Sequence, residues 1–268
     1  MTNRLILVTN DDGIESNGLR AAVESLLPLG DLCVVAPNKQ WSGAGRAMPG
    51  FVSGDLVPTP YETYMGIHIP AYAMDTSPAL CIVHAVLEIL NRKPDLVVSG
   101  INYGENISTE ITISGTIGAA MEAAAFGIPA LAVSLAMPVS AHLHGSDSID
   151  YAAARSYTQV FARRMLEKHM PADVDVISIN LPQDAVPDTP WRMTRLSRAR
   201  YFIPLAPDRE NGIGRPGYKI MTDPSQAEAH SDVWCLHVDH MVSVTPLSLD
   251  MTARADFGHV EETLRSRW

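Results

Sequence analysis

Short, almost continuous apolar runs alternate with segments of helical spacing over the first two thirds of the chain. The runs predict strands, and the segments between them predict helices. The predicted strands are Arg4–Asn10, Leu32–Ala36, Leu96–Ser99, Pro129–Leu135 and Val174–Asn180, and the predicted helices are Asn17–Leu27, Pro78–Leu90, Ser114–Phe126 and Ser148–Lys168. Strands that are apolar on both sides must be covered on both faces. The pattern therefore predicts an α/β fold with a doubly wound, mostly parallel, Rossmann-like sheet.

Two parts of the chain depart from this alternation. The residues from Asn38 to about Tyr72 are rich in Gly, Pro and Tyr and predict an irregular excursion with one or two short hairpin strands. The C-terminal part has two β-like runs, Trp191–Phe202 and His240–Leu247, and a predicted helix at about Phe257–Arg267. We therefore expect a Rossmann-like core over residues 1–190 and a β-rich extension over residues 191–268.

Two loop segments give further expectations. The segment from about Tyr201 to Asp239 has apolar residues that are poorly placed to form a core of their own, and a free loop of that length is uncommon. This predicts an arm that is ordered by crossing to a second subunit, in a homodimer or tetramer. In the polar segment Pro138–Asp147, His142 and His144 are expected to be solvated.

Composition excludes several classes of protein. The chain has 20 Lys and Arg against 30 Asp and Glu, a formal net charge of −10, so a basic groove for duplex nucleic acid is not expected. The three cysteines (Cys33, Cys81 and Cys235) are widely spaced, which argues against a disulfide framework or a structural zinc site. No apolar run approaches the roughly 18 residues that span a bilayer. The expected location is the cytoplasm, without a membrane partner.

Oxygen-bearing side chains follow three of the predicted strands. Asp11 and Asp12 come after the first, Ser42 after the second, and Asn102 after Leu96–Ser99. In open parallel sheets, ligands bind at the carboxyl ends of the strands. Two adjacent carboxylates repel each other, and a hard divalent cation such as Mg²⁺, Mn²⁺ or Ca²⁺ compensates them. The alternative is that the two aspartates only cap the next helix or fill a turn.

A second group of polar residues predicts an anion site. Asn106 precedes Ser114, Gly115 and Thr116, which open a predicted helix. Backbone N–H groups and hydroxyls at a helix N-terminus bind anions, and glycine allows a phosphate to approach closely. The alternative is an ordinary Ser/Thr N-cap. An anion site and a metal site at one edge of the sheet together indicate phosphoryl chemistry.

Several motifs resemble one known family. They are LILVTNDDGIESNGLRAAVESL, VVAPNKQWSGAG, PDLVVSGINYGENIS, SGTIGAAMEAAAFGIPALAVSL and VSVTPLSLDMT. They resemble the stationary-phase survival protein (SurE) family of metal-dependent 5′/3′-nucleotidases, in collinear order over nearly the whole chain. The resemblance implies hydrolysis of nucleoside monophosphates, sometimes also of short polyphosphate, with one divalent cation, Mg²⁺ or Mn²⁺. It also implies dimers or tetramers built with an extended C-terminal arm.

Carried over position by position, the resemblance assigns site residues. The metal ligands fall on Asp11, Asp12, Ser42 and Asn102, and the phosphate contacts fall on Asn106, Ser114, Gly115 and Thr116. The sequence departs from the family at Asn38, Lys39 and Trp41, where the family has an acid and two arginines, and at Leu80, where it has an acid. These departures affect the expected substrate preference. Trp41 could stack on a base or pack against the excursion.

The sequence favours metal-assisted hydrolysis but leaves alternatives. Asp11 is the best candidate to orient or deprotonate the attacking water, while Asp12, Ser42 and Asn102 mainly hold the metal. A covalent aspartyl-phosphate route is a second possibility. A haloacid-dehalogenase type of phosphatase is disfavoured, because it needs two aspartates separated by one residue. The remaining alternatives are a phosphatase of non-nucleotide substrates and a catalytically silent nucleotide-binding or assembly module.

Overall fold

The computed structural model describes residues 4–50, 55–142, 149–214 and 216–265. His144 and Ser148, which belong to the predicted loop and helix above, lie outside these residues. The strands are β1 (Leu5–Thr9), β2 (Asp31–Pro37), β3 (Leu56–Pro58), β4 (Ala71–Met74), β5 (Leu96–Tyr103), β6 (Ala130–Leu135), β7 (Val176–Leu181), β8 (Trp191–Met193), β9 (Phe202–Leu205), β10 (Gly217–Ile220) and β11 (Val242–Leu247). The helices are α1 (Asn17–Leu26), α2 (Pro78–His84), α3 (Gly115–Ala125), α4 (Ala152–Glu167), α5 (Asp232–His237) and α6 (Phe257–Arg265).

Nine strands form one mixed sheet in the order β3-β4-β2-β1-β5-β6-β7-β11-β8. The six strands from β4 to β7 in this order run parallel to one another. At the two ends of this group, β3 is antiparallel to β4 and β11 is antiparallel to β7. β1 lies near the middle of the sheet. The chain first adds β2 on one side of β1 and later adds β5 on the other side. The prediction of a doubly wound, mostly parallel sheet is confirmed.

The alternating side chains of the central strands fill two separate cores. Ile6 and Val8 point to the face covered by α1 and α4, whereas Leu7 points to the face covered by α2 and α3. Ser16 begins α1 by accepting a hydrogen bond from the backbone N–H of Leu19, which is an N-cap that Ser residues favour. Because both faces are buried, the central strands are apolar at most positions.

Some predicted boundaries were wrong. β5 does not end at Ser99 but continues to Tyr103, because a register shift after Ser99 lets the strand resume its pairing with β6. The helix expected over Pro78–Leu90 is α-helical only to His84 and continues as a wider π-type turn. The β-like run Trp191–Phe202 contributes only Trp191–Met193 to the main sheet, and its last residue, Phe202, begins β9.

The C-terminal part of the chain completes the main sheet. β11 pairs with β7 on one side and with β8 on the other, while β9 and β10 form a separate antiparallel hairpin. β3 and β4 are the hairpin strands predicted for the excursion, and β4 also joins β2. The division at residues 190 and 191 into a core and an extension stays a prediction.

A third, smaller core lies in the extension. Its buried residues include Tyr201, Val233 and Leu236, packed with Ile107 and Ala136 of the main fold. Both ends of the segment from Tyr201 to Asp239 therefore pack against the main fold of the same chain, and the crossing of this segment to a second subunit stays a prediction. By contrast, α6 buries none of its residues. Among the described residues, no helix is long and apolar enough to cross a membrane.

A candidate active site at the carboxyl edge of the sheet

The predicted metal ligands gather where the winding of the sheet changes direction. β1 and β5 are neighbours in the sheet, but the connections that follow them lead to opposite sides. The carboxyl ends of two such strands leave a crevice in which ligands of open α/β sheets bind. Asp11 and Asp12 begin two residues after the end of β1 at Thr9, and Asn102 is the last residue but one of β5.

Asp11 is buried against the first residues of α3. Its Oδ1 accepts a hydrogen bond of 2.5 Å from the hydroxyl of Thr116, which is itself fully buried. Burial raises the pKa of the Asp11 carboxyl, while the Thr116 hydroxyl and the backbone N–H groups of Thr116 and Gly115 lower it. A Cβ at Gly115 would lie 2.7 Å from the Asp11 Oδ2, so only glycine allows this approach. The start of α3 therefore contacts one of the two carboxylates that the sequence predicts as metal ligands.

Asp12 is held by one donor from β5 and one from the loop after β2. Its Oδ2 accepts the backbone N–H of Tyr103 at 2.9 Å, and its Oδ1 accepts the side-chain amide of Gln40 at 3.0 Å. Burial raises the pKa of the Asp12 carboxyl well above its ordinary value, and the charge of Asp11 raises it further. The pair therefore resists losing both protons unless a positive charge compensates it.

Asn102 and Ser42 differ in how firmly they are placed. Asn102 is buried, and its Nδ2 donates to the carbonyl of Gly104 at 2.7 Å, which leaves the amide oxygen as its acceptor. Ser42 is exposed in the turn after β2. The preceding residue, Trp41, donates its backbone N–H to the carbonyl of Asp11 at 2.7 Å, which ties that turn to the carboxylate pair.

The predicted phosphate contacts fall into two groups. Gly115 and Thr116 touch Asp11 directly, as described above. Ser114 is buried and accepts the backbone N–H of Ile117 as the N-cap of α3, and its own hydroxyl proton stays available as a donor. Asn106 lies apart from the carboxylates, where its side-chain amide donates to Ser134 and its backbone N–H donates to Asn180.

Known proteins resemble this chain along its length. The family model described as "Survival protein SurE" matches residues 6–202. The chain belongs to the SurE family. Relatives named "5'-nucleotidase SurE" include those of Thermococcus gammatolerans, 43% identical with 97% of this chain and 95% of the relative covered, and of Methanocella arvoryzae, 40% identical with both chains fully covered. The crystal structure of the SurE protein from Aquifex aeolicus has a TM-score of 0.70 at 28% identity and covers 98% of this chain.

The segment in which this chain departs from the SurE pattern has its own contacts. Lys39 forms an ion pair of 2.6 Å with Asp75, and its ammonium lies 5.8 Å from the ring centroid of Trp41. Trp41 is half-buried, and within the described part of the chain its indole nitrogen is buried without a hydrogen-bond partner. Leu80 donates its backbone N–H to Ser77 at the start of α2. Lys39, Trp41 and Leu80 therefore all have contacts within the fold.

Two residues near the site, Gln40 and His142, were not predicted as site residues from the sequence. Gln40 binds Asp12, as described above, and the same amide nitrogen donates to the carbonyl of His142 at 2.8 Å. The expectation that His142 is solvated was wrong: it is 9% exposed, because Phe202 and Tyr218 of the β9–β10 hairpin pack against its ring. Only the position of Gln40, one residue before Trp41 in the loop after β2, could have drawn attention to it.

Other parts of the described structure differ from this edge of the sheet. A cavity of about 480 Å³ lies at the amino ends of β1 and β2, beside Leu5, Asp31 and Arg92, at the opposite edge of the sheet. No group of three or more His, Cys, Asp or Glu side chains suited to a metal occurs in the described ranges. The carboxyl edge instead combines two carboxylates with neutral oxygens, a donor set that suits Mg²⁺ or Mn²⁺ better than zinc.

Proposed function

We propose that this chain is a divalent-metal-dependent 5′-nucleotidase. It hydrolyses nucleoside 5′-monophosphates to nucleoside and phosphate, and we extend the proposal to 3′-monophosphates and short polyphosphate. The observation that carries it is the buried Asp11–Asp12 pair at the direction change of the sheet. The 40–43% identity to proteins named 5′-nucleotidase SurE, along the full length, supports the same activity.

The residues at this edge fit a hard cation. SurE nucleotidases are generally metal-dependent, and two desolvated carboxylates whose pKa values are raised need a positive charge to be ionised together. Asp11, Asp12, Ser42 and Asn102 would hold it, and the turn of Ser42 is anchored to the carbonyl of Asp11 through Trp41. The bound cation supplies charge neutralisation at the phosphoryl group and lowers the pKa of a coordinated water.

The protein side chains have separate roles in orienting the water and binding the phosphate. The Thr116 hydroxyl fixes the Asp11 carboxylate, which we assign to orienting or deprotonating the attacking water. The hydroxyl of Ser114 is assigned to the phosphate as a hydrogen-bond donor, and the positive end of the α3 dipole stabilises the same negative charge. Asn106 is assigned to the phosphate by its position in the family motif, and its side-chain amide also donates to Ser134.

The proposal is tested by phosphate release from a panel of nucleoside monophosphates and from p-nitrophenyl phosphate. The assay is run with Mg²⁺, with Mn²⁺ and after chelation. Asp12→Asn keeps the shape of the side chain and removes a charged ligand, so activity should fall by orders of magnitude while the fold survives. Nucleotide binding without turnover in the wild type would instead support a silent binding module. Full activity after chelation would refute the metal site.

We also propose that the chain assembles as a homodimer or tetramer. Several large apolar side chains near the C-terminus are exposed in the single chain, among them Met251 (82%), Phe257 (64%) and Leu264 (80%). A second copy that covers α6 would bury them. Sedimentation at micromolar concentration should show about two or four times the 29.1 kDa chain mass. A single species at the chain mass would contradict this.

A further inference from the structure

One residue outside the predicted ligand set contacts the supports of two predicted metal ligands. The carbonyl of His142 accepts the Gln40 amide that also holds Asp12. The ring of His142 packs on Gly104, where a Cβ would lie 2.8 Å from its Nε2. The carbonyl of Gly104 in turn fixes the amide of Asn102. One residue, Gln40 or Gly104, therefore separates His142 from each of these ligands.

The ring of His142 is itself fixed by two hydrogen bonds. Its Nε2 is 3.0 Å from the carbonyl of Met137, and because a carbonyl only accepts, Nε2 carries a proton. In the neutral ring Nδ1 then accepts the hydroxyl of Tyr218 at 2.9 Å. The Tyr218 ring stacks on the imidazole at an interplanar angle of 17°.

We propose that His142 is a positioning residue for the metal site and that the β9–β10 hairpin controls metal affinity through it. Tyr218 holds the imidazole, the backbone of His142 holds Gln40, and Gln40 holds Asp12. The imidazole also limits the position of Gly104 and, through it, the amide of Asn102. This inference rests on the proposed metal site, and it adds that the hairpin supports that site from outside it.

The geometry favours a positioning role over simple packing. Gln40 uses a single amide nitrogen, with its two protons, to join a carboxylate and a carbonyl that come from different segments. A residue that served only to fill space would not need that orientation. Ligand orientation by outer partners commonly changes metal affinity by about 10- to 100-fold.

Metal affinity is the measurement that tests this. Mn²⁺ dissociation constants are measured by calorimetry on the full chain, with kcat and KM for p-nitrophenyl phosphate alongside. Tyr218→Phe removes only the hydroxyl and should weaken Mn²⁺ binding about 2- to 10-fold, the range for one neutral hydrogen bond. Gln40→Leu should weaken it about 10- to 100-fold, because it removes a hydrogen bond whose acceptor is a charged carboxylate. At saturating Mn²⁺, kcat should recover in Tyr218→Phe.

A matched control separates this effect from the loss of any tyrosine hydroxyl. Tyr157 donates its hydroxyl to the carbonyl of Thr189, away from His142. Tyr157→Phe should therefore leave Mn²⁺ affinity unchanged. The double variant Gln40→Leu with Tyr218→Phe should lose less affinity than the product of the two single losses, because both act on one chain of contacts.

Three results would overturn the inference. They are an unchanged Mn²⁺ affinity in Tyr218→Phe, an equal loss in Tyr157→Phe, and losses in the double variant that simply multiply. His142→Phe is a second variant that keeps an aromatic ring but loses both ring hydrogen bonds, and wild-type Mn²⁺ affinity there would also refute the role. A wild type that binds no Mn²⁺ would be recognised at once and would overturn the proposed metal site together with this inference.

Discussion

Replacing Thr116 by valine tests the contact between α3 and the carboxylate pair. Thr116 is fully buried, and its hydroxyl donates to Asp11 Oδ1 at 2.5 Å. Valine keeps the branched shape and the volume, so the packing of α3 against the sheet should change little. The substitution therefore removes one donor to a buried carboxylate and almost nothing else.

The magnitude of this effect follows from the charge of the acceptor. A hydrogen bond to a charged group contributes about 1.5–3 kcal/mol. If Asp11 must be held in one orientation during the reaction, that loss lowers kcat/KM by about 10- to 150-fold. The unfolding free energy of the metal-free protein should change less, because the pKa of Asp11 is already raised by burial and the carboxyl can take up a proton.

The assay compares Thr116→Val with Thr116→Ser, which keeps the hydroxyl. Steady-state kinetics with a nucleoside monophosphate and saturating Mn²⁺ gives kcat/KM, and urea unfolding in the presence of a chelator gives stability. Serine should retain most of the activity, and valine should not. Equal activities for the two variants would refute the reasoning, because they would show that the hydroxyl serves only as a local fold contact.

Three further predictions concern the same edge of the sheet. Burial and Asp11 raise the pKa of Asp12, so the contribution of this carboxyl to the stability of the metal-free protein is complete below the ordinary Asp pKa and is lost as pH rises through the raised pKa. Asp12→Asn should remove this contribution to the pH dependence and stabilise the metal-free protein at pH 7 in chemical unfolding. Mn²⁺ at 100 times its Kd for the wild type should stabilise the wild type by about 2.7 kcal/mol in thermal unfolding, and the same concentration should stabilise Asp12→Asn far less. Equal stabilisation of the two proteins would contradict the role of Asp12 as a metal ligand. Gly115→Ala places a Cβ 2.7 Å from Asp11 and should abolish most activity. As a control, Gly214→Ala should be neutral, because its Cβ meets none of the described atoms within 4 Å. A normal rate in Gly115→Ala would contradict the close approach of Gly115 to Asp11.

The sequence predicted the centre of the fold and the acidic pair well, for physical reasons. β1 and β6 are apolar at all but one position each because both of their faces are buried, and such runs are visible without any tertiary information. The polar residues that follow β1 stand at the carboxyl end of the strand by chain direction alone. That was enough to predict Asp11 and Asp12 as neighbours of the Asn102 segment.

Features that depend on distant partners were not predictable in this way. Gly100 reads as a strand end, and only pairing with β6 shows that β5 continues past it. His142 reads as a polar loop residue, because the Tyr218 that binds its ring lies 76 residues away in sequence. Gln40 has no signal of its own, since its function depends on a carboxylate and a carbonyl from two other segments.

The place of β11 in the sheet has a consequence for how the chain is made. β11 is the last described strand in chain order, yet it lies between β7 and β8. Until residues 242–247 have been synthesised, one side of β7 presents unpaired N–H and C=O groups, and β8 has no neighbour to join. An open edge of a strand that is buried throughout is a template for pairing with other chains. A chain cleaved or stalled before Val242 would therefore be prone to aggregate, although its proposed catalytic residues would all have been made.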